Sequence, residues 1–117
     1  MIWRSKAPFR LGLAGGGTDV SPYSDLYGGA ILNATISLYA HASIESIPQP
    51  KIILKSIDQG IELVFSSEEL LPSEGLLKLQ KGLINRLKKD QILGNQGFCL
   101  TTNMDVPAGS GLGTSST

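Results

Sequence analysis

The sequence PAGSGLGTSST at positions 107–117 decides the fold assignment of this chain. It follows an extended-looking run at 97–104, and its glycines allow backbone angles that are closed to other residues. Successive backbone N–H groups in such a loop form a concave anion site, and a helix starting near Thr114 would add the positive end of its dipole. The stretch therefore predicts a site for a polyphosphate. A Gly/Ser-rich turn or a flexible tail is the simpler alternative.

Two familiar phosphate-binding loops do not fit this stretch. The Walker loop needs a lysine directly before its Ser or Thr, and Gly113 stands there. The dinucleotide loop G-x-G-x-x-G needs a glycine at position 114 after Gly109 and Gly111, and position 114 is Thr. The predicted polyphosphate loop is thus of a third kind.

Composition limits the classes of protein. The chain has 117 residues, of which 41% are hydrophobic and 17% charged, as in a globular protein. Ten basic residues balance ten acidic ones, so no net charge favours nucleic acid or an anionic membrane. No apolar run is long enough to span a bilayer, and residues 1–8 lack the apolar segment of a signal peptide. A cytoplasmic protein without membrane or nucleic-acid partners is predicted, and its single Cys99 is interpreted as a small core residue.

The N-terminal third predicts a strand, a glycine turn and a short helix. Residues 2–14 read as extended, with Pro8 typical of an edge strand or a bulge. Gly15-Gly16-Gly17 marks a second place where the backbone turns sharply or meets a ligand. Ser21-Pro22 predicts a helix start with Ser21 as N-cap, and Gly28-Gly29 predicts its end.

The rest of the chain predicts mainly strands. Residues 30–47 alternate between apolar and polar side chains, and 51–57 and 61–65 flank Asp58-Gln59-Gly60 as a β-hairpin. Residues 66–69 are predicted to cap a short helical turn. Because the elements do not alternate as β-α-β-α, an α+β domain is favoured over a doubly wound parallel sheet. The final strand, at 97–104, has no following helix to cover it.

One amphipathic helix is predicted after Ser73. Leucines and one isoleucine share a face at helical spacing, which predicts that this face packs on the core. Basic residues occupy the other face and are interpreted as a solvated surface. The apolar face consists of Leu76, Leu77, Leu79, Leu83, Ile84 and Leu87, and the basic face of Lys78, Lys81, Arg86, Lys88 and Lys89.

Two segments together resemble the GHMP kinases, the family of galactokinase, homoserine kinase and mevalonate kinase. The run PAGSGLGTSS at 107–116 is similar to that family's phosphate-binding motif P-x-x-x-G-L-G-S-S. Ala7 to Leu11, with Thr18 and Asp19, resembles the family's N-terminal substrate motif, in the family's order and at a similar separation. The resemblance implies an α+β fold with a mixed or antiparallel sheet and few helices, and a kinase that uses ATP and Mg²⁺.

The residues of the N-terminal motif indicate one branch of this family. RLGLAGGGTD at 10–19 and GGAILN at 28–33 resemble the sugar-kinase branch that phosphorylates D-glycero-D-manno-heptose 7-phosphate at O1. Galactokinases carry Glu-His where this chain has Gly16-Gly17, so galactose contacts do not carry over. The missing side chains leave room for a larger or phosphorylated sugar.

The resemblance assigns roles to both motifs. In the family, the glycine loop wraps the ATP phosphates with backbone N–H groups, and a hydroxyl near its end helps to hold Mg²⁺. Ser115 is the predicted metal ligand and Ser116 the second choice; each has capping of a following helix as its alternative. The predicted nucleotide-binding residues are Pro107, Gly109, Ser110, Gly111, Leu112, Gly113, Thr114, Ser115 and Ser116.

Sugar contacts are predicted around the first motif. Asp19 is the candidate for holding sugar hydroxyls, with a turn or N-cap role as its alternative. Gly16, Gly17 and Thr18 are expected to line the sugar site by close backbone approach. Arg10 resembles the family arginine near the attacking hydroxyl, where a cation stabilises negative charge; a surface ion pair is its alternative.

By this comparison residues 1–117 are the N-terminal substrate- and ATP-binding portion of a kinase whose C-terminal domain is absent. The chain alone is therefore predicted to be inactive. Two rival interpretations stay open: a truncated, non-catalytic binding module and a nucleotide-binding oxidoreductase. A homodimer is retained as an alternative to a monomer.

Overall fold

The computed structural model describes residues 1–107 and 109–112. Within them the chain forms a sheet with few helices, as expected for the α+β class. In chain order the elements are β1 Ile2–Ala14, α1 Tyr23–Tyr27, β2 Leu32–Ile47, β3 Lys51–Ser56, β4 Ile61–Ser66, α2 Lys78–Lys89 and β5 Gly97–Met104. No helix among the described residues is long and apolar enough to cross a membrane.

The strands form a mixed sheet in the order β1-β2-β5-β3-β4. β3 and β4 form the predicted antiparallel hairpin, with Ile52 opposite Phe65. β3 pairs with β5 in parallel, with Ile52 opposite Phe98. β1 is an edge strand, which explains how it accommodates Pro8, a residue without a backbone N–H to donate.

The chain divides into two compact units. The core unit comprises residues 1–6 and 41–103, and the motif unit comprises residues 7–40 and 104–117, described as far as 112. β1 and β2 each contribute residues to both units. This division matters for function, because every predicted site residue that the structure describes belongs to the motif unit.

The hydrophobic cluster of buried residues lies in the core unit. Ile52 and Leu54 alternate with less buried neighbours along β3, as expected for a strand with one inward face. The other members come from β5, from α2 and from the segments before α2. The complete cluster is Ile52, Leu54, Leu71, Leu77, Ile84 and Phe98.

Helix α2 forms in the predicted region after Ser73, but only part of the predicted apolar face is buried. Lys81 is only 2% exposed and Ile84 is buried one turn further on, whereas Leu79 and Leu83 are 63% and 56% exposed. The predicted burial is confirmed for Ile84 and for Leu77 at the N-cap of the helix. It is wrong for Leu79 and Leu83, and the predicted solvation of the basic face is wrong for Lys81.

The reason is that the loop before α2 needs hydrogen-bond donors. Lys81 Nζ donates to the carbonyl of Glu74, and Lys88 Nζ donates to the carbonyls of Ser67 and Glu69 at 2.7 and 2.6 Å. Lysine suits this role because its long apolar stem packs while its ammonium group satisfies backbone oxygens. Burial lowers the pKa of Lys88 below its ordinary value.

Two local predictions also need correction. Ser21 is not the N-cap of α1: Pro22 occupies that position, and the Ser21 hydroxyl donates instead to Asp25 Oδ2 at 2.5 Å. Residues 66–69 do not form a helical turn; they end β4 and continue as bends. There the Ser66 hydroxyl accepts from the backbone N–H of Glu68 at 3.2 Å, a local bond that competes with helix formation.

Candidate functional site: two glycine loops

Both sequence motifs lie in the motif unit. The first loop, residues 15–19, follows β1. Arg10 lies on β1; it is exposed and interacts with another group of the chain. The second loop, residues 105–112, follows β5. The fold thus brings the described residues of both motifs, 80 or more positions apart in sequence, into one compact unit.

The first loop is fixed by two glycines at a backbone crossing. A Cβ atom at Gly15, whose φ is +80°, would lie 2.0 Å from the carbonyl oxygen of Ala30. A Cβ atom at Gly29 would lie 2.2 Å from the carbonyl oxygen of Thr18. No side chain fits at either position, so these glycines are required for the backbone of residues 15–18 to lie against that of residues 29–30.

The Thr18 hydroxyl completes this crossing. It lies 2.8 Å from the carbonyl oxygen of Gly15 and 3.0 Å from that of Ala30, and it accepts from the Ala30 backbone N–H at 3.0 Å. The Thr18 backbone N–H also donates to the Gly15 carbonyl, at 2.9 Å. Because a hydroxyl has one proton and two lone pairs, its hydrogen-bonding capacity is largely used within the loop.

Gly16 and Gly17 differ from Gly15 and Gly29. Neither has a positive φ, and a Cβ atom at either would have nothing within 4 Å. The described backbone therefore does not require glycine at these two positions. Both residues and Asp19, two positions after Gly17, are exposed, so this loop presents its backbone and a carboxylate to solvent.

The second loop is anchored at its entrance by Asp105. Its backbone N–H donates to the carbonyl of Tyr39 on β2 at 3.0 Å, and its Oδ2 accepts from the Tyr39 N–H at 2.8 Å. Val106, which follows, is buried. The chain is thus fixed at the point where the glycine stretch begins.

Beyond Pro107 the second loop turns through open space. The backbone N–H of Ser110 donates to the Pro107 carbonyl at 3.2 Å, which closes a turn. Gly109 and Gly111 have φ values of +81° and +75°, and among the described residues nothing lies within 4 Å of a Cβ atom placed at either. Positive φ explains the glycines, because other residues rarely adopt it.

The remaining predicted nucleotide-binding residues lie outside the described residues. These are Gly113, Thr114, Ser115 and Ser116, so the predicted Mg²⁺ role of Ser115 stays a prediction. The roles assigned to Arg10, Asp19 and the other site residues stay predictions as well. For the site residues that it describes, the structure gives their positions and the hydrogen bonds that fix the two loops.

Sequence reasoning missed two contributions. The sequence predicts Thr18 in the sugar site but not that its hydroxyl joins the two sides of the first loop, because that role depends on Ala30, 12 positions away. Asp105 was not singled out, and its partner Tyr39 is 66 positions away. An aspartate directly after a strand and before a glycine loop was the available signal, because Asp often accepts from nearby backbone N–H groups.

A separate cavity of about 220 Å³ lies in the core unit. Its lining residues include Arg4, His41 and Thr101. His41 lies on β2, has an interaction partner and is half-buried, in keeping with a sheet histidine. No group of three or more potential metal-binding side chains occurs in the described part of the chain.

Comparison with known proteins identifies the relatives of the chain. It is 47% identical over 114 residues to the D-glycero-alpha-D-manno-heptose 7-phosphate kinase of Campylobacter jejuni, a match that covers 97% of this chain and 34% of that protein. The chain is homologous to heptose phosphate kinases. No protein-family model matches it.

Solved structures agree with this assignment. A D-glycero-D-manno-heptose 1-phosphate kinase from Bacteroides thetaiotaomicron has a TM-score of 0.89 at 51% identity, over 98% of this chain and 37% of that one. The mevalonate kinase of Methanococcus jannaschii has a TM-score of 0.78 over 98% of this chain and 36% of that one; at 22% identity it shows the fold alone. The resemblance to heptose phosphate kinases and the fold class are thereby confirmed.

The chain spans about a third of the length of these relatives. The relatives are sugar kinases, which favours the kinase interpretation over the oxidoreductase one.

Proposed function

We propose that this chain is the part of a sugar kinase that binds the sugar phosphate and the ATP phosphates. In the whole protein, the reaction would transfer the γ-phosphoryl group of ATP to O1 of D-glycero-D-manno-heptose 7-phosphate. The observation that carries the proposal is the 47% identity to a heptose 7-phosphate kinase across 97% of the chain. The location of both motif loops in one compact unit supports it.

The open space beside Gly16 and Gly17 supports a large, phosphorylated sugar. Glycine there is not explained by backbone angle or by crowding, and a ligand that approaches the backbone closely explains it. The names of the relatives place the substrate phosphate at position 7 in one case and position 1 in the other. Our proposal commits to the 7-phosphate, because a sugar already phosphorylated at O1 has no free hydroxyl there.

The proposed roles follow the chemistry of phosphoryl transfer, which depends mainly on positioning and charge neutralisation. Backbone N–H groups of the second loop would hold the ATP phosphates, and the space around Gly109 and Gly111 fits such a ligand. Bound Mg²⁺ would neutralise phosphate charge, with Ser115 as its proposed ligand. Asp19 would accept hydrogen bonds from sugar hydroxyls, and Arg10 would stabilise charge at the attacking oxygen.

A chimera tests the proposal directly. Residues 1–117 would replace the matching third of the Campylobacter jejuni kinase, and ADP release would be measured with ATP–Mg²⁺ and either heptose 7-phosphate, heptose 1-phosphate or galactose. We expect turnover with the 7-phosphate alone, and a loss of about 10²- to 10³-fold in kcat for Arg10→Ala.

The unmodified Campylobacter jejuni kinase and the chimera with an exposed β4 substitution, Glu62→Ala, serve as controls for assay and folding. A folded chimera that is inactive with the 7-phosphate, while the unmodified kinase turns it over, would contradict the proposal. The 117-residue chain alone is expected to give no turnover. Loss of a general base on the remaining part would by itself reduce the rate by about 10²- to 10⁴-fold.

A further inference from the structure

Asp105 occupies the junction between a regular strand and the glycine loop. β5 ends at Met104, and the glycines that the proposed function assigns to ATP begin four positions after Asp105, at Gly109. Whatever fixes this junction also fixes the direction in which the loop leaves the sheet.

The contacts of Asp105 engage both backbone polar groups of a single residue. Its N–H donates to the Tyr39 carbonyl at 3.0 Å, while its carboxylate Oδ2 accepts from the Tyr39 N–H at 2.8 Å. A side-chain oxygen thus does what a backbone carbonyl would do in a continued strand pair. The backbone after Asp105 can therefore leave the sheet, because the N–H and the carbonyl of Tyr39 are both already hydrogen-bonded to Asp105.

The residues that connect Asp105 to the loop are themselves restricted. Val106 is buried, Pro107 has a restricted φ, and the Pro107 carbonyl accepts from the Ser110 N–H at 3.2 Å. From Gly109 onward the described loop has open space on the Cβ side of its glycines. The position of the loop is therefore set at its entrance, where the carboxylate bond of Asp105 is the contact that a substitution can remove.

We propose that Asp105 is a positioning residue for the phosphate loop: its paired bonds to Tyr39 fix the loop in the orientation that holds ATP. That the ligand is ATP rests on the proposed kinase function. That the bonds between Asp105 and Tyr39 fix the position of the loop does not. Hydrogen bonds to charged acceptors are among the stronger ones in proteins, so we expect the loop to shift when this one is lost.

The first test uses the 117-residue chain. Amide exchange and amide NMR signals would be compared for the wild type, Asp105→Ala, Asp105→Asn and the control Glu62→Ala. In Asp105→Ala, we expect the Tyr39 amide to exchange about tenfold faster or more, and the Gly109–Leu112 signals to move. Asn keeps an acceptor oxygen, so Asp105→Asn should stay close to the wild type. Unchanged Gly109–Leu112 signals in Asp105→Ala would overturn the proposal, whatever the enzyme activity.

The second test uses the chimera described above. Asp105→Ala should raise KM for ATP about tenfold and leave KM for heptose 7-phosphate unchanged, with recovery in Asp105→Asn. A general loss of folding would instead lower the amount of active enzyme and leave both KM values unchanged. That result, or an equal rise in both KM values, would refute a role at the phosphate loop. If the chimera is inactive but the amide signals respond as expected, the kinase proposal fails and the positioning role of Asp105 stands.

Discussion

The core unit and the motif unit are stabilised in different ways. All six members of the buried hydrophobic cluster lie in the core unit. In the described part of the motif unit, the buried large hydrophobic residues are Phe9 and Val106, and its loops are held by a glycine crossing and by hydrogen bonds to the backbone. Side-chain packing therefore supports the fold of the core unit, whereas backbone geometry shapes the proposed site in the motif unit.

We expect the greatest loss of stability from a substitution in the hydrophobic cluster of the core unit. Leu54→Ala removes a buried side chain from the centre of β3 and should lower the free energy of unfolding by about 3 kcal/mol, through lost transfer energy and a cavity. Val64→Ala on β4, where Val64 is 55% exposed, is the control and should cost less than about 1 kcal/mol. Urea denaturation measures both. Equal losses would show that the cluster does not dominate the stability of this unit.

The next effect concerns the glycine crossing. Gly15→Ala combines a positive φ with a clash against the Ala30 carbonyl, and it should cost about 2 kcal/mol, with faster amide exchange in residues 15–19 and at Ala30. Gly16→Ala, with open space around its Cβ, should change stability by less than about 0.5 kcal/mol.

Amide exchange at Leu100, in the core unit, should be less affected by Gly15→Ala than exchange at Ala30. If Gly15→Ala speeds amide exchange equally at Ala30 and Leu100, the glycines at 15 and 29 do not support the motif unit separately from the core unit.

A smaller effect is expected at Thr18. Thr18→Val preserves shape but removes the hydroxyl that joins Gly15 to Ala30, and should cost about 1 kcal/mol. Thr18→Ser keeps the hydroxyl and should retain most of the stability. Urea denaturation and exchange at the Ala30 amide report the difference. A Val variant as stable as the Ser variant would show that the crossing depends on the glycines alone.

The smallest effect is a pH dependence in the core unit. Burial lowers the pKa of Lys88 below 10.5, so the unfolded chain holds this proton more tightly than the folded chain. The contribution of Lys88 to the unfolding free energy should therefore rise as pH increases from the folded-state pKa to 10.5.

The measurement is the difference in unfolding free energy between the wild type and Lys88→Met across this pH range. The difference should increase by less than about 1 kcal/mol, because the side chain is only partly buried. Lys89→Met, at an exposed neighbouring position, is the matched control for the loss of one charge. A difference that falls with rising pH would contradict the assignment.

Much of the fold could be predicted from local pattern. Alternating side chains marked the strands, and Asp58-Gln59-Gly60 marked the hairpin turn, where Gly60 has a φ of +65°. The inward face of α2 could not be predicted by counting apolar residues, because Lys81 and Lys88 face carbonyls of a loop 7 to 21 positions earlier in the chain. Those partners are set by tertiary structure, which overrides the helical pattern.

The candidate site divides in the same way. The glycine motifs were readable because their residue types are unusual and closely spaced. The contacts that hold them were not, since Thr18–Ala30 and Tyr39–Asp105 join segments that sequence alone does not bring together. A motif thus identifies residues that meet a ligand more readily than residues that hold the motif in place.

The strand order has a consequence for the sequence of folding events. β5 lies between β2 and β3, yet it leaves the ribosome after the other four strands. In this strand order, β1–β2 and β3–β4 are neighbours without β5, and only β5 joins the two pairs into one sheet. Because β5 also carries Asp105 and the glycine loop at its end, the step that closes the sheet is the same step that sets the loop in place.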